Sequence, residues 1–300
     1  MAKWTARDIP DQTGRTFLVT GANSGLGYHT ARQLARHGAR VVLTARTEAK
    51  GQAAIDEIKT GQTDADLELR LLDLSDLDSV RAFAAALAED KVTVDVLVNN
   101  AGIMMPPRTL TKQGNELQFA TNHLGHFALT GLLLPSITDR VVTVSSGMHR
   151  TGSIHFDDLT GERSYSPTSF YSQSKFANIL FGLELDRRLR ATGSKVGSLM
   201  AHPGYAATNL QNSGPTGIAN LLMKVGNVVM AQSAEMGALP QLYAATAPQA
   251  ESGQYIGPDR MMEQRGHPTV VHPVKSAQDP ATARRLWTLS EELTGVVFPI

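Results

Sequence analysis

Arg15-Thr-Phe-Leu-Val-Thr-Gly21-Ala-Asn-Ser-Gly25-Leu-Gly27 is the stretch that decides the fold. Its first six residues predict a short β-strand, and the pattern from Tyr28 to His37 predicts a helix that follows without a linker. Strand, glycine-rich turn and helix N-terminus together form an anion cradle, because free backbone N–H groups and the helix dipole converge on a phosphate. Glycine lets the backbone approach such a ligand closely, and Gly27 lets helix and strand pack. The spacing is Gly-x-x-x-Gly-x-Gly rather than Gly-x-Gly-x-x-Gly, so the turn takes its meaning from its place between a strand and a helix. Gly21, Asn23, Ser24, Gly25, Leu26 and Gly27 are the candidate nucleotide contacts.

The same rhythm continues outward. Arg40-Val-Val-Leu-Thr-Ala reads as a second strand ending at Arg46, where a dinucleotide fold meets the adenosine ribose. An acid there would bond the 2′-hydroxyl of NAD, whereas an arginine suits the 2′-phosphate of NADP; the competing reading is a solvated loop arginine. Leu67-Glu-Leu-Arg-Leu-Leu is a third strand leading to Asp73 and Leu74, and Asp73 could hydrogen-bond the adenine amino group or cap a helix. Ser75 with Asp78 resembles a cap before a helix through Leu87. A fourth strand, Val94-Asp-Val-Leu-Val, runs into Asn99-Asn-Ala-Gly102, with Asn100, Ala101 and Gly102 as further nucleotide contacts. Strands alternating with helices imply an α/β fold, a doubly wound parallel sheet with helices on both faces.

Pro167 to Phe181 holds the chemistry, with Tyr171 and Lys175 one helical turn apart and so on one helix face. Ser166 suits the N-cap and Pro167 the first helical position, while Phe176, Ile179, Leu180, Leu183 and Leu185 supply an apolar stripe for packing. Bringing a tyrosine hydroxyl from its usual pKa of about 10 to about 7 requires about 4 kcal/mol of phenolate stabilisation. A lysine ammonium one turn away favours that form. Tyr-x-x-x-Lys also arises by chance in helices, so its weight depends on its surroundings.

Composition narrows the classes. Lys+Arg and Asp+Glu are 28 each, so no global field recruits nucleic acid or an anionic membrane, and small neutral or lipophilic ligands are favoured. Cysteine is absent, which excludes disulfides, thiolate metal sites and a cysteine nucleophile. The N-terminus has no apolar core of a signal peptide, and no uncharged run reaches the roughly 18 residues of a membrane span, so the expectation is a soluble cytoplasmic protein.

Thr20-Gly-Ala-Asn-Ser-Gly-Leu-Gly27, Asn99-Asn-Ala-Gly102, Ser145-Ser146, Tyr171-x-x-x-Lys175 and Pro203-Gly204 resemble, in order and approximate spacing, the signatures of the short-chain dehydrogenase/reductase family. The resemblance covers roughly the first 260 residues. Asn122-His-Leu-Gly-His-Phe127 and the long stretch from Gly147 to Ser169 look like the branch that holds the retinol dehydrogenases and the WW-domain-containing oxidoreductases. The resemblance implies one Rossmann-type domain over 1–300, with a nucleotide half at about 14–110, a catalytic half at about 111–260 and a C-terminal extension at about 261–300.

It also implies a catalytic tetrad of Asn122, Ser146, Tyr171 and Lys175. Tyr171 would be general acid in carbonyl reduction and general base in alcohol oxidation, and Ser146 would bond the substrate oxygen where charge develops. Ser146 follows the strand Arg140-Val-Val-Thr-Val-Ser; Ser145 is the alternative, and strand alternation lets only one of the two face the crevice. Lys175 would hold the nicotinamide ribose, and Asn122, within a helix from Glu116 to Leu134, would anchor a water linking Lys175 to solvent. Asparagine is unfavourable inside a helix, which suits a site better than a scaffold. Pro203 and Gly204 would redirect the chain beside the nicotinamide, and Thr208 resembles the family threonine that binds the cofactor. NADP(H) is the favoured cofactor and NAD(H) the alternative; a homodimer or homotetramer through the helices of Asn122 and Tyr171 is expected by analogy.

Ser146 and Tyr171 are 25 positions apart, against the family's usual interval of about a dozen, so an inserted loop from Met148 to Thr168 would lie over the pocket. Met104, Met105 and Met148 fall near that pocket or in the core. His123 and His126 stand three apart but lack a third ligand at matching spacing, so no metal is expected; His149 and His202 read as solvated or loop-bonding. Lys195-Val-Gly-Ser-Leu-Met predicts a sixth strand, Ser233 to Ala247 a helix, Gln254-Tyr-Ile-Gly the last strand, and Ala281 to Leu293 a closing helix. The apolar segment Ile218 to Met230 would be a lid in the family, and on pattern alone a core helix or dimer face.

The activity these features imply is hydride exchange between a nicotinamide and a lipophilic alcohol or carbonyl, of retinoid, steroid or similar type. A nucleotide-binding sensor without turnover is the rival, though such relatives usually lose the tyrosine or lysine. A relative of the light-driven protochlorophyllide reductases is the third reading, and those rely on a cysteine that this chain lacks.

Overall fold

The computed structural model describes residues 3–206 and 232–300. Among them eight strands form one sheet: β1 (Thr16–Val19), β2 (Arg40–Ala45), β3 (Leu67–Leu71), β4 (Val94–Asn99), β5 (Ile137–Val144), β6 (Gly197–Ala201), β7 (Tyr255–Arg260) and β8 (Arg265–Val271). The order is β3-β2-β1-β4-β5-β6-β7-β8, parallel from β3 to β7, with β8 antiparallel at the edge. Thr208 and the apolar segment 218–230 lie outside the described residues.

The main helices are α1 (Gly25–Arg36), α2 (Glu48–Gly61), α3 (Leu77–Glu89), α4 (residues 117–133), α5 (Pro167–Ala191), α6 (Ala234–Thr246) and α7 (Pro280–Thr294). Strand alternation decides which of them covers which face. Phe17 and Val19 pack with Leu34, Ile55 and Leu242 of α1, α2 and α6, whereas Leu18 joins Val80, Phe127 and Phe181 of α3, α4 and α5. The same split separates Val41 and Leu43 from Val42, and Val96 and Val98 from Leu97. A strand apolar at every position is stable only when both faces are covered, as in a doubly wound sheet.

Three local differences from the sequence expectation have simple causes. The cap of α3 is Asp76, whose side chain accepts from Asp78 N–H; Ser75 instead bonds Asp73. The last strand is β8, hidden in the sequence by Gly266 and Pro268, residues that an edge strand tolerates. Helix α4 is not uniform: Leu117–Phe119 makes one turn, Ala120–Leu124 a π-turn and Gly125–Leu133 a regular helix, with Glu116 as N-cap. The C-terminal α7 packs on α5, and Trp287 lies 5.1 Å from Phe127 and 4.5 Å from Phe298 between ring centroids. No described helix is long and apolar enough to cross a membrane.

Candidate active site

Strand order reverses direction between β1 and β4, and at such a switch point open α/β sheets leave a crevice beyond their carboxyl ends. Gly21 enters it with φ +64, and a Cβ there would lie 2.9 Å from that of Ala101. At Gly27 a Cβ would lie 2.5 Å from the Gly21 carbonyl oxygen and 2.5 Å from the Asn100 amide nitrogen, so only glycine fits. Ser24 occupies the N-cap of α1 without a side-chain cap bond, which leaves the first-turn N–H groups for a ligand.

The crevice is a cavity of about 520 Å³. Gly21 and Asn23 to Gly27 line it, with Arg46, Asp73, Leu74, Asn100, Ala101 and Gly102, so these sequence candidates converge in space. Lys50, Glu57, Ile103 and Thr121 line it too, from positions that no motif marks. Arg46 and Lys50 are both exposed. Asp73 lines the cavity while its Oδ1 accepts from the Ser75 N–H at 2.9 Å, and the helix cap falls to Asp76 instead. An uncapped helix N-terminus, close-packed glycines and two cations fit a dinucleotide phosphate set.

Thr20 is the residue that sequence reading left without a role. Its hydroxyl accepts from the N–H groups of Asn100 and Ala101, each at 2.9 Å, and so joins the glycine turn to the loop after β4. With its lone pairs used, its proton faces His126 Nε2 at 2.9 Å, and His126 Nδ1–H donates to the Asn122 carbonyl at 3.1 Å. Burial pulls His126 down to about 4 and His123 down to about 3, so both stay neutral. His123 Nε2 lies 2.8 Å from the Ser290 hydroxyl, and among the described residues no group of His, Asp and Glu could hold a metal ion.

Helix α5 starts as its sequence dictates, with the Ser166 hydroxyl accepting from Ser169 N–H and Pro167 in the first turn. Tyr171 is 7% exposed and Lys175 4%. Lys175 Nζ donates to the Val144 carbonyl at 3.2 Å and lies 5.8 Å from the Tyr171 ring centroid. A Cβ on Gly102 would be 3.5 Å from Lys175 Nζ and 3.2 Å from Asn122 Oδ1, which puts both side chains against the cavity wall.

Alternation resolves the two serines. Ser145 Oγ donates to the Lys175 carbonyl at 2.7 Å, turned into the structure, while the half-buried Ser146 side chain favours the phenolate form of Tyr171. Burial pushes the Tyr171 hydroxyl up to about 12, opposed by the Ser146 side chain, and pulls Lys175 down to about 8. The lowered tyrosine pKa that the pair suggests is therefore not a property of the protein alone.

Asn122 sits in the π-turn with its amide fully engaged. Oδ1 accepts from Ile103 N–H at 2.8 Å, and Nδ2 donates to the Ile103 carbonyl at 3.0 Å and to Ser174 Oγ at 2.9 Å. Pro203 and Gly204 lie beyond the cavity at the end of β6, where Gly204 at φ +67 abuts the Gln264 carbonyl. His149 and His202 are buried rather than solvated. Both pack edgewise or tilted against the buried Tyr255 ring, an arrangement no local pattern announces.

A nucleotide cradle at the switch point together with buried Tyr171 and Lys175 and half-buried Ser146 defines a nicotinamide-dependent oxidoreductase class. The family model for short chain dehydrogenase matches residues 15–217, and the chain belongs to that family. Retinol dehydrogenase 14 of Mus musculus is 40% identical over 301 residues, covering 95% of this chain and 87% of that protein. Polyprenol dehydrogenase of Mus musculus is 39% identical over 297 residues, covering 96% and 86%. The crystal structure of an uncharacterized protein from Mycobacterium Paratuberculosis superposes with a TM-score of 0.84 at 46% identity, covering 100% of both chains. Within the family the chain falls in the retinol dehydrogenase-like branch, and it is an enzyme that acts on alcohol or carbonyl groups.

Proposed function

We propose that the chain is an NADP(H)-dependent oxidoreductase that interconverts an alcohol and a carbonyl on a lipophilic substrate, with Tyr171 as acid and base. One observation carries this reading: Tyr171 and Lys175 are both buried, Lys175 Nζ stands against Gly102 in the lining of the cavity that the glycine turn builds, and the Ser146 side chain acts on the Tyr171 hydroxyl. The nicotinamide supplies or accepts hydride when bound, and Lys175 is the side chain placed to hold its ribose. Residues 1–300 act as one domain in this reading.

The chain's own residues handle the proton. Ser146 Oγ accepts from Met148 N–H at 3.2 Å, which leaves its own proton for a substrate oxygen where charge develops. Tyr171 gives its proton to that oxygen in reduction and takes it back in oxidation. Lys175, already pulled to about 8 by burial, exchanges a proton near neutral pH and as ammonium stabilises the phenolate. Asn122 holds the loop at Ile103; with its amide engaged, a water on the proton path would meet its backbone carbonyl, whose other partner is His126 Nδ1–H.

Arg46 and Lys50, both exposed on the cavity, support a ribose 2′-phosphate and hence NADP over NAD. A lipophilic alcohol is supported by the names of the relatives, a retinol and a polyprenol dehydrogenase. The test follows NADPH absorbance against a panel of lipophilic aldehydes and ketones for wild type and Tyr171→Phe. Turnover by wild type, lost in a mutant that still binds NADPH, is expected. Tight NADPH binding with no turnover by either protein across a broad panel would overturn the reading in favour of a sensor.

A further inference from the structure

Resting on that reading of Ser146 and Tyr171, we propose that His149 is a positioning residue for Ser146, and that the C-terminal segment sets its tautomer through Val274. His149 is fully buried, three residues past Ser146 in the inserted stretch. Its Nδ1 lies 2.7 Å from the Ser146 carbonyl oxygen, and its own backbone N–H donates to the same oxygen at 3.0 Å. At its other nitrogen, Val274 N–H donates to Nε2 at 3.3 Å.

These partners leave one choice of tautomer. A carbonyl oxygen only accepts, so Nδ1 carries the hydrogen; a backbone N–H only donates, so Nε2 is bare. The ring is a neutral imidazole in a fixed orientation, walled by Tyr255, whose ring lies edge-on at 5.4 Å and whose hydroxyl is 3.4 Å from Nδ1.

The consequence falls on Ser146. That residue is extended, at φ −155 and ψ 157, two residues past the end of β5, and no strand pairing follows it. Its hydroxyl direction depends on how the turn Gly147–Thr151 closes, and His149 closes it by two bonds to the Ser146 carbonyl. Released, the turn would let the hydroxyl swing off the Tyr171 axis. A displacement of about 1 Å at a reacting group can cost about 100-fold in rate.

The experiment compares steady-state turnover, NADPH affinity and imidazole ¹⁵N shifts in wild type, His149→Leu, His149→Asn, Val274→Pro and Tyr171→Phe, on one substrate turned over by wild type. His149→Leu should lower kcat about 10- to 100-fold with NADPH affinity unchanged. His149→Asn, whose amide N–H can reach where Nδ1–H stands, should restore most of it. Val274→Pro leaves the ring in place, because Val274 already has φ −57, and removes only the N–H. It should lower kcat several-fold and shift the His149 ¹⁵N signals away from a pure Nδ1–H tautomer.

Unchanged kcat in both His149→Leu and Val274→Pro, while Tyr171→Phe is inactive, would overturn the inference alone. So would equal losses in the Leu and Asn variants that track their loss of Tm. Turnover surviving in Tyr171→Phe would overturn the reading of the site, and the inference with it, since Ser146 would have no Tyr171 to align with.

Discussion

Burial acts on both Tyr171 and Lys175, pushing the phenol up to about 12 and pulling the ammonium down to about 8. The lysine shift has a readable sign. Below pH 8 folded and unfolded chains both hold the Lys175 proton and the burial penalty is fully present. Between 8 and its ordinary 10.5 the folded chain gives up the proton that the unfolded chain keeps, so stability rises with pH. Lys175→Met is therefore expected to be more stable than wild type at pH 7, by on the order of 3 kcal/mol, with the advantage shrinking as pH rises toward 10. Urea unfolding at both pH values checks this, and a pH-independent difference would count against it. Arg46 gives a second residue-scale test. Arg46→Asp should weaken NADPH binding about 10-fold or more and improve NADH, read by fluorescence titration; unchanged NADPH affinity would remove Arg46 from the phosphate site. The tyrosine, lysine and arginine were legible because each stands at a fixed offset in a local motif. Ser145 against Ser146 was legible only as a choice of facing, and the bond to the Lys175 carbonyl turns Ser145 inward.

At the scale of elements, helix α4 shows how an unfavourable residue is put to use. Asn122 falls in the π-turn Ala120–Leu124, and its side chain satisfies both backbone groups of Ile103, which no strand or helix would otherwise pair. Asn122→Ala should leave both backbone groups of the half-buried Ile103 without their partner, while Ser174 keeps its bond to the Tyr171 carbonyl, costing about 1–3 kcal/mol in urea unfolding. A loss below about 0.5 kcal/mol would show that water replaces the amide there. Sequence reading marked Asn122 as odd inside a helix but not the π-turn, because a π-turn differs from an α-turn by one hydrogen-bond register and leaves no periodicity of its own. Strand β8 was missed for a related reason. An edge strand pairs on one side only, so Pro268 and Gly266 are tolerated and the apolar alternation that announces a strand is absent.

For the whole molecule, the C-terminal helix is part of the core rather than an appendage. Trp287 packs among Phe127, Phe181 and Phe298, with the Arg188 guanidinium 4.3 Å from its ring, and Ser290 meets His123. Trp287→Ala is expected to cost about 3–5 kcal/mol, measured as a shift in the urea midpoint. Removing residues 280–300 should expose Phe127 and Phe181 on the helices that carry the site, and light scattering after size exclusion should then show a larger mass per particle than the full chain gives. A truncated chain of the same mass per particle as the full one would show that α7 does not guard that face.

The sequence by itself determined the parallel strands of the sheet, the glycine turn and the Tyr171–Lys175 helix face, because each depends on residues close in the chain whose spacing has one structural solution. Tertiary structure alone decided what closes the site. Thr20 meets His126, His149 meets Val274, and Trp287 meets Phe127 across separations of a hundred residues or more. Such contacts arise from the packing of whole elements, and a buried histidine or tryptophan has the same local sequence signature as a solvated one until its partners arrive.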